Sequence, residues 1–526
     1  MRKPSERRVV ISICVALGLM ALFPKAAQPQ PHSQVCDFFV SNIYVSRVDV
    51  ADKETITARA VDMKAGVAKA VITPDVPLVI TNGPVATGKL ADIYARALVL
   101  NDGKERLVIL TYDLNCLDRA TAPLRKRVRD ELGIDPARLI LLATHNHNGP
   151  IQINPNNFKY GDWLAGRLFD LIKEAVANER GLVKLLFGSG YEYCLMSQGN
   201  APVDYEIQVL KVMASDQPVA LLFNQPTHPL QASRSKYEAG HPGFAMEEIE
   251  AKMPGVQAMY ADACGGNQFP LRPKNIDGVP DMPRGAKLSD EVTEKVARGY
   301  AKELVETVLG IANGPLQDVT GPITSKRETL SLPLAPPISR KGALELAKKF
   351  PKDVGFVTYP NENGYRATNW VRMLLYWYDN KLPFPTKTTD LVCTDDTFLI
   401  DKNDRKMHEK FAASLPDEFQ CVYEEVIVSR IGPMALVAMQ GEVCAPIGAR
   451  IKDAFRRNMP IMVFGYMGEH NLYIPTRELV RLKAYQGIVI QIQYASPVGW
   501  APEVEDEMVK GVSNVVKSVI AEPPKN

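Results

Sequence analysis

Arg106-Leu107-Val108-Ile109-Leu110-Thr111-Tyr112-Asp113 and Arg138-Leu139-Ile140-Leu141-Leu142-Ala143-Thr144 are the two runs whose reading decides the fold. Each is short, continuously apolar and rich in Val, Ile and Leu, as a strand covered on both faces must be. Between them, residues 120–132 place apolar side chains at helical spacing, and Gly133 supplies the stop. Strand, helix and strand at these lengths predict a βαβ unit with a right-handed crossover and a parallel pair.

The same grammar continues outward. Residues 218–224, 257–262, 434–439 and 461–464 read as buried strands, and 163–178, 290–312 and 446–457 as amphipathic helices. An α/β (or α+β) fold follows: a mixed sheet with helices on its faces and a site at the C-terminal ends of strands. The globular pattern starts near Ala65, so a single domain over 63–524 is expected. The irregular, Pro-rich stretch from Leu332 to Pro337 leads into an expected helical insertion around 335–420. No internal repeat is visible in the sequence.

Composition narrows the class. With 526 residues, 46% hydrophobic and 23% charged, the chain can bury a large core. Its net charge of +2, without a basic stripe, argues against nucleic acid as a partner. Arg2, Lys3, Arg7 and Arg8 precede an apolar run over 9–23 and small residues at Ala26-Ala27, so residues 1–27 read as a signal peptide and 28–62 as a polar lead-in. The run is shorter than the roughly 20 residues that cross a bilayer, which makes export to the periplasm or medium a better expectation than anchoring by residues 9–23. Cys14 lies in that leader, and the other seven of eight cysteines leave at least one thiol unpaired. No Cys-x-x-Cys pair occurs, and a Cys393–Cys421 bridge is compatible with an oxidising compartment.

The chemistry collects at strand ends. His145 and His147 follow the strand ending in Thr144, and in extended chain i and i+2 point the same way. His228 follows 218–224, Glu442 follows 434–439, and Tyr466 follows 461–464. Two imidazoles and a carboxylate form the N/O set that suits a catalytic zinc with one position open to water. Gly265-Gly266-Asn267 could offer N–H groups to an anion, but a tight turn explains the pair of glycines better. His241 and His408 read as surface or capping residues. Lipase-type elbows, Walker loops and dinucleotide fingerprints are absent from the sequence.

At these residues the sequence resembles the neutral/alkaline non-lysosomal ceramidase family. Ala65 to Pro74 is similar to that family's opening strand, Ala95-Arg96-Ala97-Leu98-Val99-Leu100 to its ARALVL stretch, and Ala143 to Pro150 to its ATHTHSGP signature with two substitutions. Thr227-His228-Pro229, Gly441-Glu442 and Tyr473-Ile474-Pro475-Thr476 follow in family order. The resemblance implies a zinc ion (Zn2+) held by His145, His228, Glu442 and a tyrosine, with His147 as acid/base. Tyr473 is the preferred tyrosine, Tyr466 the alternative, and His470 a substitute ligand. Two departures stand out: Phe269 occupies the place of the family's serine, and the chain lacks the length for the C-terminal domain of the larger ceramidases.

The function expected is therefore hydrolysis of an amide or ester bond by metal-activated water, acting on a small-molecule or lipid-like substrate, a role compatible with peripheral membrane contact. Ceramide hydrolysis is one alternative. A non-catalytic binding protein with a relic metal site is the other.

Overall fold

The two apolar runs lie side by side in the computed structural model, where Val108–Tyr112 pairs in parallel with Leu139–Ala143. Residues 61–521 are described, apart from 82–83, 153, 199–200, 272–288, 350–355, 362–363, 370–374, 376–377, 382–420, 470–471 and 493–497. The expected leader, most of the lead-in, His408, His470 and the Cys393–Cys421 pairing fall outside them. Among the described residues, no helix is long and apolar enough to cross a membrane.

The major elements repeat a pattern three times. The first unit runs β1 (Lys64–Val71), β2 (Tyr94–Asn101), β3 (Arg106–Tyr112), α1 (Asp118–Leu132), β4 (Leu139–Ala143) and α2 (Phe158–Ala177). The second runs β5 (Val183–Tyr191), β6 (Glu206–Ala214), β7 (Gln217–Gln225), α3 (Gly240–Lys252), β8 (Gln257–Asp262) and α4 (Asp290–Ala312). The third runs β9 (Ile323–Pro333), β10 (Cys421–Ile431), β11 (Met434–Met439), α5 (Ala445–Phe455), β12 (Ile461–Phe464) and α6 (Val504–Ala521). In every unit the first three strands form an antiparallel meander, and the fourth returns after a helix to lie parallel to the third. The expectation of no repeat thus holds for the sequence and fails for the structure. Packing needs only apolar residues at matching positions, and different residues satisfy it in each unit.

Alternation along the strands explains how the units assemble. In β3, Val108, Leu110 and Tyr112 face α1 and α2, where they meet Leu124, Val128, Leu164 and Leu168. Leu107 and Ile109 face the other way and join Leu210 and Leu222 of the second unit and Ile427, Leu436 and Phe464 of the third in a shared inner core. The second and third units cover their outer faces with α3 and α4 and with α5 and α6, respectively. A strand buried on both faces needs a continuous apolar run, and each such side chain contributes roughly 1.5–3 kcal/mol.

Local signals set the element ends. Gly133, at φ 66°, closes α1, and Ser289 caps α4 by accepting from the Val292 amide. Pro333 pairs with Cys421 in the β9–β10 ladder, with residues 334–420 between them in the chain. Their described portion holds a helix, Arg340–Lys349, and an antiparallel hairpin, Phe356–Asn361 with Gly364–Asn369. The expected insertion is therefore not helical throughout.

Candidate metal centre

The repeat delivers the site residues from equivalent positions. The third residue beyond the third strand is Asn115, His228 and Glu442 in the three units, and the second residue beyond the fourth strand is His145, Cys264 and Tyr466. Because the third and fourth strands run parallel, their carboxyl ends open at one edge of each sheet, where side chains are released from the ladder. His145 and Tyr466 both adopt φ 53°, a left-handed conformation that costs a non-glycine residue roughly 1–3 kcal/mol. Their segments brace each other: the Ala143 amide donates to the Tyr466 carbonyl at 3.2 Å, and the two rings lie 4.3 Å apart.

Glu442 is the hub. One of its oxygens, Oε2, lies 3.3 Å from His145 Nε2 and 3.2 Å from His228 Nε2. Tyr473 is drawn in because Glu442-Val443 pairs in parallel with Tyr473-Ile474, which brings its hydroxyl to 3.1 Å from His228 Nε2. His147 Nε2 is 3.1 Å from His145 Nε2, and the nitrogens of His145, His147 and His228 all lie within 4.8 Å of one another. The structure therefore brings His145, His147, His228, Glu442 and Tyr473 together. Tyr466 touches the cluster through its ring, while its buried hydroxyl makes no hydrogen bond among the described residues.

The far side of each imidazole sets its tautomer. His228 Nδ1–H donates to the Gly265 carbonyl at 3.0 Å, so Nε2 carries a free lone pair. His145 Nδ1 lies 3.0 Å from the side-chain nitrogen Nδ2 of Asn115 and 3.5 Å from the Asn115 backbone carbonyl oxygen. Either Asn115 oxygen, the carbonyl or the carboxamide after rotation, can accept the Nδ1 proton. Burial alone would raise the Glu442 carboxyl pKa, but His145 and His228, when protonated and positively charged, outweigh it and hold the group well below its usual range. Burial, with Glu442 close by, pushes the Tyr473 hydroxyl well up. Asp262 is also pushed well up, by burial, although the Tyr260 hydroxyl donates to it.

Whether these residues fit a cation can be tested on Glu442. Its Oε2 is buried and makes no hydrogen bond among the described residues, although it sits between two imidazole nitrogens. Lone pairs facing one another in a buried spot repel unless a positive charge lies among them. Two imidazoles, a carboxylate and a phenol oxygen are the donor types zinc takes, so the fit is good.

Several neighbours take contacts that the sequence pattern did not specify. Phe269 stacks on His228 with ring centroids 4.9 Å apart and planes at 24°. A Cβ on Gly266 would come within 2.3 Å of the Glu442 carbonyl oxygen, and one on Gly265 within 2.6 Å of the Thr227 amide. Residues 266–267 do form a turn, but the glycines are required by close approach, and the Gly266 amide is already used by the Val443 carbonyl. His241 corrects the expectation of a surface or capping role. It is fully buried, its Nδ1 accepts from the Leu230 amide and its Nε2–H donates to Gln225 at the end of β7, and burial pulls its pKa down to about 3. Asn115 could have been found by counting from its strand end; nothing local in the sequence points to Phe269 as a partner of His228.

No protein-family model matches the chain, and no curated protein is significantly similar to it. Among solved structures, the neutral ceramidase from Pseudomonas aeruginosa is similar in fold, with TM-score 0.63 and 17% identity over 89% of this chain and 76% of that one. A ceramidase complexed with C2 gives TM-score 0.62 and 17% identity over 89% of this chain and 77% of that one. The chain has a neutral ceramidase-like fold.

Proposed function

We propose that this protein is a zinc-dependent hydrolase of an amide or ester bond that uses water as the nucleophile. The observation that carries the reading is the buried Glu442 oxygen facing the Nε2 atoms of His145 and His228 with no hydrogen bond among the described residues. His145, His228, Glu442 and Tyr473 would hold the ion. When bound, zinc supplies Lewis-acid chemistry, polarising a carbonyl and acidifying a water. His147, partly exposed beside the ligand set, takes a proton at Nε2 and returns it to the leaving atom, as an imidazole within reach of the ligand set can.

The substrate class we propose is a small-molecule or lipid-like amide or ester, met outside the cytoplasm after removal of residues 1–27. Ceramide hydrolysis is the second reading, favoured by the fold similarity and opposed by Phe269, whose ring lies on His228 and has no hydroxyl. Screening zinc-loaded and metal-stripped protein against panels of amides and esters tests the proposal. Turnover that appears only in the zinc-loaded sample supports it. Absence of turnover across both panels, in protein that holds zinc, would favour the relic binding site instead.

A further inference from the structure

The segment carrying both histidines is tied to a buried carboxylate outside the ligand set. Asn146 Nδ2 donates to the Asp113 carbonyl at 2.9 Å and to the Glu238 carbonyl at 2.7 Å, and its Oδ1 accepts from the Asn148 amide at 2.9 Å. Asn148 Nδ2 donates to the Ser233 carbonyl at 2.7 Å and to Glu238 Oε1. Glu238 is fully buried, and its carboxylate also accepts from the amides of Ala232 and Gly240.

These contacts join two units of the fold. Asn146 and Asn148 belong to the first unit, one between the histidines and one after them. Glu238 belongs to the connection between β7 and α3 in the second, whose third residue is His228. A left-handed conformation at His145 persists only when its surroundings over-determine it. Both N–H donors of each asparagine side chain are spent on doing so. We propose that Glu238 is a positioning residue for the metal centre, holding His145 and His147 against His228 through Asn146 and Asn148. This inference rests on the zinc reading above.

Zinc affinity of the full chain, measured by chelator competition, tests it together with the visible absorption of cobalt(II)-substituted protein. Glu238→Gln keeps the shape but turns an N–H toward donors that need an acceptor, and Asn148→Ala removes one end of the tie. Each is expected to weaken zinc by about 10–100-fold and to change the cobalt spectrum, as loss of an outer partner does elsewhere. The double variant should be no weaker than the worse single one, because both act through one connection. A merely structural role would lower the melting temperature and leave the zinc affinity and cobalt spectrum of the folded molecules unchanged. That result, or additive losses in the double variant, overturns the proposal. If Glu238→Gln does not fold, Asn148→Ala decides alone, by the same two readouts. Wild type that bound neither zinc nor cobalt would instead remove the zinc reading, and this inference with it.

Discussion

His145 and His147 are two residues apart and should fail differently. Replacing His145 with Ala removes a nitrogen that faces Glu442, so both zinc and activity should go. His147→Ala should keep its zinc and, on whichever substrate the panels reveal, lose about 10²–10⁴-fold in rate. Zinc content and rate measured on the two variants check this, and a metal-free His147→Ala protein would make His147 a ligand. Phe269 carries a second expectation: wild type should release little or no fatty acid from ceramide in detergent, because the ring lies on His228 and offers no hydroxyl. Robust zinc-dependent ceramide turnover would refute it. At this scale the histidines and Glu442 were legible because each directly follows an apolar run, whereas Phe269 and Glu238 act across the fold, and local pattern carries no trace of a distant partner.

Glycine, strand and helix carry the expectations at the scale of elements. Gly266 lies against the Glu442 carbonyl, so Gly266→Ala must push the Glu442 backbone away. Overpacking of this kind costs about 1–3 kcal/mol, and zinc affinity should fall with it. Chemical unfolding and chelator competition on the variant measure the two, and unchanged zinc affinity would separate Gly266 from the site. His241, at the start of α3, is buried neutral with a pKa near 3 against 6.5 unfolded. Below about pH 6.5 the unfolded chain binds a proton that the folded chain refuses. This contribution is therefore complete above that pH and is lost toward pH 3, at up to about 1.4 kcal/mol per unit. Urea unfolding of metal-free wild type and His241→Gln at pH 7 and pH 5 should show the steeper loss in wild type; equal slopes would mean that His241 is not held neutral. Strands 257–262, 434–439 and 461–464 match the structure end to end because each has an apolar centre and is buried along its whole length. β5 and β9 give no strand signal in the sequence because their faces are half exposed and their residues mixed, which breaks up the apolar run.

For the whole molecule, three βββαβα units around a shared inner core explain why a site can be assembled from residues as far apart in sequence as His145 and Tyr473. The units were invisible as a sequence repeat because equivalent positions hold different chemistry: Asn115, His228 and Glu442 occupy one place, and His145, Cys264 and Tyr466 another. Of these equivalent positions, His145, His228 and Glu442 bring a converging donor set together, so the repeat should hold one zinc and not one per unit. Elemental analysis of purified protein, wild type beside the His145→Ala/His228→Ala double variant, tests this claim most directly. One tightly held zinc per wild-type chain and none in the folded double variant is the predicted result; the same low metal content in both would contradict it.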